Sequence, residues 1–171
     1  PEKLTLIGGG AFCNCKNLKQ VQLPPQLKEL GEGAFFNCEN LAQIQLPSQL
    51  NKLGTDAFRD CTSLDKIDIP AGLKQIESAT FCNTGLTSVT LHEGLTKIED
   101  WAFHDCLKLK KIRIPKSVTD IGELALGIRY NMGNGAEEVI PGGFTVEGYT
   151  GSAAERYVKR MHQSENLYHV F

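Results

Sequence analysis

Apolar residues recur along this chain in columns rather than in runs. Leu18, Leu41, Leu64, Leu86 and Leu109 align at a step of 23 residues, shortened once to 22 near Asn83. Three positions on come Val21, Ile44, Ile67, Val89 and Ile112, and two further Leu23, Leu46, Ile69, Leu91 and Ile114. These last two columns alternate with polar positions at a period of two, which predicts short strands, at segments such as 19–23, with one face buried. Pro24, Pro47, Pro70 and Pro115 close four of the five strands, where a missing N–H and a fixed φ suit a strand end; His92 takes the fifth place. A second apolar pair follows each strand, as in Leu27 with Leu30 or Val118 with Ile121, and should carry the chain along the back of the stack.

The same period governs Ala11-Phe12, Ala34-Phe35, Ala57-Phe58, Thr80-Phe81, Ala102-Phe103 and a weakened Ala125-Leu126. A fixed period of this length with Leu or Ile in most anchor slots is the signature of a leucine-rich solenoid, in which each repeat buries its apolar face only against its neighbours. Stacked repeats then form a short-stranded parallel sheet. The stretch from Glu32 to Cys38 reads as a short helical turn packed through Ala34 and Phe35, too short to be a helix alone. Before the Cys column stands another column, Asn14, Asn37, Asp60, Asn83 and Asp105. Asn and Asp tolerate left-handed backbone, so this column predicts a tight turn at each exit from the helical segment, in preference to a calcium site.

Composition narrows the function classes. A net charge of −2 with 22% charged residues provides no global field for nucleic acid, and 41% apolar residues suffice for a core. No apolar run reaches the roughly 18 residues of a membrane span. Leu4, Ile7 and Gly8 fall on the slots of Leu27, Leu30 and Gly31, so the first repeat is truncated and the chain reads as a piece of a longer array. Residues 1–128 are expected to form the solenoid, with five to six repeats, and 129–171 a C-terminal cap with a Gly-rich loop, a strand and a helix. Ser152 and Glu155 have the spacing of a capping box, and Ala154, Tyr157, Val158 and Met161 share one helical face.

Six cysteines raise the question of disulfides or metal. Cys15, Cys38, Cys61 and Cys106 occupy one inward column, whose parallel Cβ vectors do not suit bridging, so reduced core thiols are expected. Cys13 and Cys82 stand in another column with Phe36, Arg59 and His104, on the order of 14 Å apart at strand spacing. No C-x-x-C accompanies them, and neither a metal nor a cofactor is expected. The four histidines, His92, His104, His162 and His169, lie in unrelated slots. His104-Asp105-Cys106 reads as a surface, a turn and a core residue, not a triad, and the glycines at 133, 135, 142 and 143 lack the Lys-Ser/Thr of a phosphate loop. The chain is not expected to be an enzyme.

What varies from repeat to repeat is the exposed face of the sheet. One column runs Gln20, Gln43, Lys66, Ser88, Lys111; its neighbour runs Gln22, Gln45, Asp68, Thr90, Arg113. These are the candidate ligand-binding positions. Lys108, Lys110 and Lys116 enlarge the basic end, which suits either an acidic partner or plain solvation beside Glu93, Glu99, Asp100 and Asp105. Trp101 replaces Gly10, Gly33, Asp56 and Ala79 in its column and is expected to be exposed, to anchor a partner or to cover the next repeat. Five strands offer roughly 400 Å² of flat face, about half of what one partner contributes to a standard interface.

The phrase C-x-N-L-x-x-V-x-L-P-x-x-L-x-x-L-G-x-x-A-F from Cys15 to Phe35 resembles the BspA-like leucine-rich repeat. The segment from Phe144 to Tyr157 is similar to the strand, Gly-Ser turn and helix that often close such arrays. Thr84 for Cys, His92 for Pro and the irregular rung after Leu126 depart from the pattern. The resemblance implies an α/β right-handed superhelix, export to the extracellular space or a bacterial cell surface, and recognition of a protein or glycan ligand, host-derived in some relatives; the chain itself is expected to be a monomer. It carries no catalytic residues, and it leaves two roles open, adhesion and a spacer that presents another domain.

Overall fold

A computed structural model of the chain describes residues 3–162 and 168–170. Residues 163–167 and 171 of the expected C-terminal region lie outside the described residues, as do the side chains of His162 and His169. The columns stack into a solenoid with three lines of rung-to-rung pairing. On the front, β2 (Gln20–Val21), β4 (Gln43–Ile44), β6 (Lys66–Asp68), β8 (Ser88–Thr90) and β10 (Lys111–Arg113) run parallel. On the back run β1 (Leu6–Ile7), β3 (Glu29–Leu30), β5 (Lys52–Leu53), β7 (Gln75–Ile76), β9 (Lys97–Ile98) and β11 (Asp120–Ile121), also parallel. Neither sheet is continuous: no strand pairing joins β4 to β6, β8 to β10 or β5 to β7.

The third line is where the structure departs from the expected helical turn. Gly10, Phe12 and Asn14 donate their N–H groups to the carbonyls of Glu32, Ala34 and Phe36 in the next rung, while Ala11, Cys13 and Cys15 bond back three residues within their own turn. A helix would consume every N–H within the segment. Here every second one is spent on the neighbouring rung, and the pattern recurs at each step up to Asp105, which donates to Ile128. Alternation requires left-handed backbone at two places. One is the Asn/Asp column, with φ between 53° and 62° at Asn14, Asn37, Asp60, Asn83 and Asp105. Its side chains pair as well, Asn37 Nδ2 with Asn14 Oδ1 at 2.7 Å and Asn83 Nδ2 with Asp60 Oδ1 at 2.8 Å. The other is Gly10, Gly33, Asp56, Ala79, Trp101 and Leu124, with φ between 51° and 63°. L side chains larger than Asn are rare there.

Phe12, Phe35, Phe58, Phe81 and Phe103 stack along the axis at centroid spacings of 5.0–5.6 Å, so one ring per rung fills the core beside the turn ladder. Cys38, Cys61 and Cys106 lie next to them, fully buried, and each thiol donates to a Phe carbonyl one rung back at 3.1–3.2 Å. Burial raises the Cys38 and Cys106 thiols to about 11 and Cys61 higher still, which keeps them protonated donors. Thr84, in the missing Cys slot, bonds the Phe81 carbonyl and meets the Cys106 sulfur at 3.2 Å. Cys15, by contrast, is exposed at the first rung.

After Leu126 the repeat stops and an antiparallel hairpin, β12 (Ile128–Asn131) with β13 (Ala136–Val139), leaves the stack. β14 (Phe144–Glu147) then returns to pair with β10 in the front sheet, and β15 (Tyr168–Val170) pairs with β14. Between them α1 (Ala153–His162) is the helix of the described residues. Its Tyr157 is buried, donates its hydroxyl to the Leu126 carbonyl at 2.8 Å and accepts the Leu126 N–H at 2.9 Å. The Ser152 half of the capping box forms as spaced, its Oγ accepting the Glu155 N–H at 3.5 Å, while Glu155 reaches one residue further back, to the N–H of Gly151 at 2.5 Å.

Candidate binding face

Strand pairing brings the variable front-face residues into register. Gln20 stands opposite Gln43, Lys66 opposite Ser88, and Asp68 opposite Thr90. The face is extended beyond the five repeats by β14, which sets Thr145 against Lys111 and Glu147 against Arg113. Lys111 Nζ lies 3.4 Å from Glu147 Oε1, and Lys110 Nζ bonds the Pro141 carbonyl. Nearby, Glu93 accepts the backbone N–H groups of Lys116 and Ser117, which holds its carboxyl below the usual range. Lys111 is thus partly answered by its neighbour, whereas Lys108, Lys110, Arg113 and Lys116 have no ion-pair partner among the described residues.

The other end is different. Where pairing lapses between β4 and β6, the face sinks into a trough of about 1170 Å³. Gln20, Gln22, Gln43, Gln45, Lys66 and Asp68 all line it. Its floor is apolar, from Val21, Ile44, Leu23 and Leu46; Val21 and Ile44 are only half-buried, whereas Ile67 and Ile112 in the same column are buried. His92 stands at its edge with Nε2 2.7 Å from Asp68 Oδ1. Lys66 has no ion-pair partner among the described residues. Amide side chains both donate and accept, so four of them over an apolar floor suit a polar chain with its own donors and acceptors.

Ser88, Thr90, Lys111 and Arg113 lie outside the trough, and so does Trp101. Trp101 is 48% exposed but stands in the turn ladder, where its N–H donates to the Glu123 carbonyl, rather than on a front strand. Asp65 and the proline ends of the strands line the trough without having been singled out by sequence. The spacing predicts only which residues face outward; that six of them share one concavity beside the break between β4 and β6 is seen only in the structure.

His104 corrects the sequence reading. It is buried, 7% exposed, and not a surface residue. Its Nδ1 lies 3.0 Å from Asp105 Oδ2 and its Nε2 2.6 Å from Glu137 Oε2 on β13. The hairpin, which no repeat pattern describes, covers it.

Comparison with known proteins agrees with this geometry. Among solved structures, a leucine-rich repeat protein from Bacteroides ovatus is 28% identical with a TM-score of 0.63 over 71% of this chain. The match takes in 38% of the Bacteroides protein, so this chain spans well under two thirds of its length. The Treponema pallidum (T. pallidum) leucine-rich repeat protein superposes with a TM-score of 0.65 at 22% identity over 97% of this chain and 79% of its own. A leucine-rich cell surface protein of Faecalibacterium prausnitzii does so at 0.51 and 22% over 85% and 59%. No curated protein sequence matches the chain. Six copies of the BspA type leucine rich repeat region match residues 1–109, and with the rung geometry described above they place the chain in the BspA-type leucine-rich repeat family.

Proposed function

We propose that this chain is a non-enzymatic binding module of a bacterial surface protein, and that it recognises a protein or glycan ligand through the front sheet face. The trough carries the reading. Convergent neutral amides, one unpaired lysine and an apolar floor form a recognition surface of the kind that grips an extended polar segment. A surface location is supported by the Faecalibacterium neighbour, which is described as a cell surface protein. Among the described residues no helix is long and apolar enough to cross a membrane.

Binding of the chain to a panel of host matrix proteins and acidic glycans tests it, with two variants alongside. Loss of binding on Gln43→Ala/Gln45→Ala, with Lys111→Glu/Arg113→Glu unaffected, places recognition in the trough. Loss in the second variant alone moves it to the basic end. No binding by any form favours a spacer that presents another domain, a reading the uninterrupted turn ladder supports because it makes the array stiff along its axis.

A further inference from the structure

The off-column cysteine Cys82 is unlike the others. Cys38, Cys61 and Cys106 each donate to a carbonyl, but the Cys82 sulfur takes part in no hydrogen bond among the described residues although the residue is only 7% exposed. It stands one rung before His104 in the same column. The ligand atoms of Cys82, His104 and Asp105 all lie within 4.8 Å of one another. Two carboxylates on one imidazole can be satisfied by a proton alone. A proton does not account for the Cys82 sulfur, which lies against the same ring and makes no hydrogen bond among the described residues, its charged neighbour being the Arg59 guanidinium.

We propose that Cys82 Sγ, His104 Nδ1 and Asp105 Oδ2 form a binding site for zinc(II), with a water as fourth ligand. The donor set is the borderline-soft mixture of sulfur, imidazole and carboxylate that zinc prefers, and three protein ligands leave one position open. The surroundings fit. Glu137 Oε2, 2.6 Å from His104 Nε2, is placed to hold the proton there and leave Nδ1 free for the metal, the usual arrangement around a metal-bound histidine. Asp105 is oriented in turn: its other oxygen accepts the Tyr130 N–H at 3.0 Å, and φ of 57° turns it out of the rung. Arg59, next in the column, is a positive charge that couples to Cys82 directly, and Asp56 Oδ1 at 3.3 Å and Asp60 Oδ2 at 3.9 Å offset part of it.

Zinc entry displaces the Cys82 thiol proton, and any proton on His104 Nδ1, to solvent. Because the thiol must give up its proton to bind the metal, affinity rises with pH. The metal would tie the fourth and fifth rungs together and, through Glu137, secure the hairpin at the point where the repeat ends. This assignment is independent of the trough.

The test is titration of the reduced, metal-free chain with zinc and with cobalt(II), in a Cys13→Ser/Cys15→Ser background that removes the more accessible thiols. One equivalent should bind with a micromolar or tighter Kd, the cobalt form should show a thiolate-to-metal charge-transfer band, and zinc should raise the melting temperature. Cys82→Ser and His104→Gln should each abolish the band or weaken binding at least tenfold, with folding checked by circular dichroism. Glu137→Gln should keep the band and weaken binding by roughly 10–100-fold. Absence of the band in the parent chain, or equal zinc affinity in Cys82→Ser, overturns the proposal.

Discussion

The turn ladder and the front sheet are built from the same repeats, yet one is uninterrupted and the other is broken into short pieces. In the ladder every rung offers N–H groups at fixed positions, and the stacked phenylalanines behind them are buried without exception from Phe35 to Phe103. On the front, strands of two or three residues pair where they can, and the inward column varies from half-buried Val21 and Ile44 to buried Ile67. Order is carried by the side whose backbone pairing and phenylalanines repeat. Variation is left to the outward positions of the other side, the ones on which the proposed recognition rests.

The largest way to break that contrast is to cut the stack. Phe58, fully buried between Phe35 at 5.4 Å and Phe81 at 5.6 Å, should lose about 3–5 kcal/mol on Phe58→Ala, measured by urea denaturation. Gly54→Ala attacks rung spacing instead. The new Cβ would lie 2.5 Å from the Glu32 nitrogen and 2.6 Å from the Gly31 carbonyl carbon, backbone that cannot step aside, and a cost of about 1–3 kcal/mol should follow. If Gly54→Ala is neutral, the rungs are looser than the ladder implies.

Trp101→Asn sharpens the comparison from the other direction. Trp at φ of 57° is held in a conformation that Asn tolerates, so the variant should be more stable by up to about 1 kcal/mol, read as a higher urea midpoint at unchanged slope. A loss of stability would show that the exposed indole covers its neighbours. The smallest effect lies at Glu93. Its carboxyl is depressed in the fold by the Lys116 and Ser117 N–H groups, so its contribution is present above the unfolded value of about 4.3 and is lost as pH falls through the folded one. Glu93→Gln should flatten the acid limb of the stability curve below that pH; an unchanged limb would assign it to other carboxylates.

Much of this was readable beforehand for a specific reason. A residue 23 positions away is the rung neighbour, so the columns of Leu, Phe and Cys, and the left-handed Asn/Asp positions, followed from spacing and residue chemistry. The second left-handed column did not, because Ala79, Trp101 and Leu124 carry no mark of it; only Gly10, Gly33 and Asp56 do. The helical turn was misread for a related reason. Ala-Phe spacing is compatible with a helix, and only the demand of the next rung for alternate N–H groups excludes one. On the front face the outward columns followed from the spacing, but the trough that unites six of these residues, and leaves Ser88, Thr90, Lys111, Arg113 and Trp101 apart, is a matter of how the rungs sit against one another, which no single column records.

The sequence by itself determined the solenoid, its core columns and its family, because in a repeat array each unit needs only its neighbours and their identity is set by the period. Only the tertiary structure decided what happens off the period. Glu137 reaches His104 across 33 positions, and β14 inserts beside β10, through a hairpin and return strand with no counterpart in the repeats. Such contacts depend on how a non-repeating segment closes its own backbone hydrogen bonds against the last rung, and no column of residues records that.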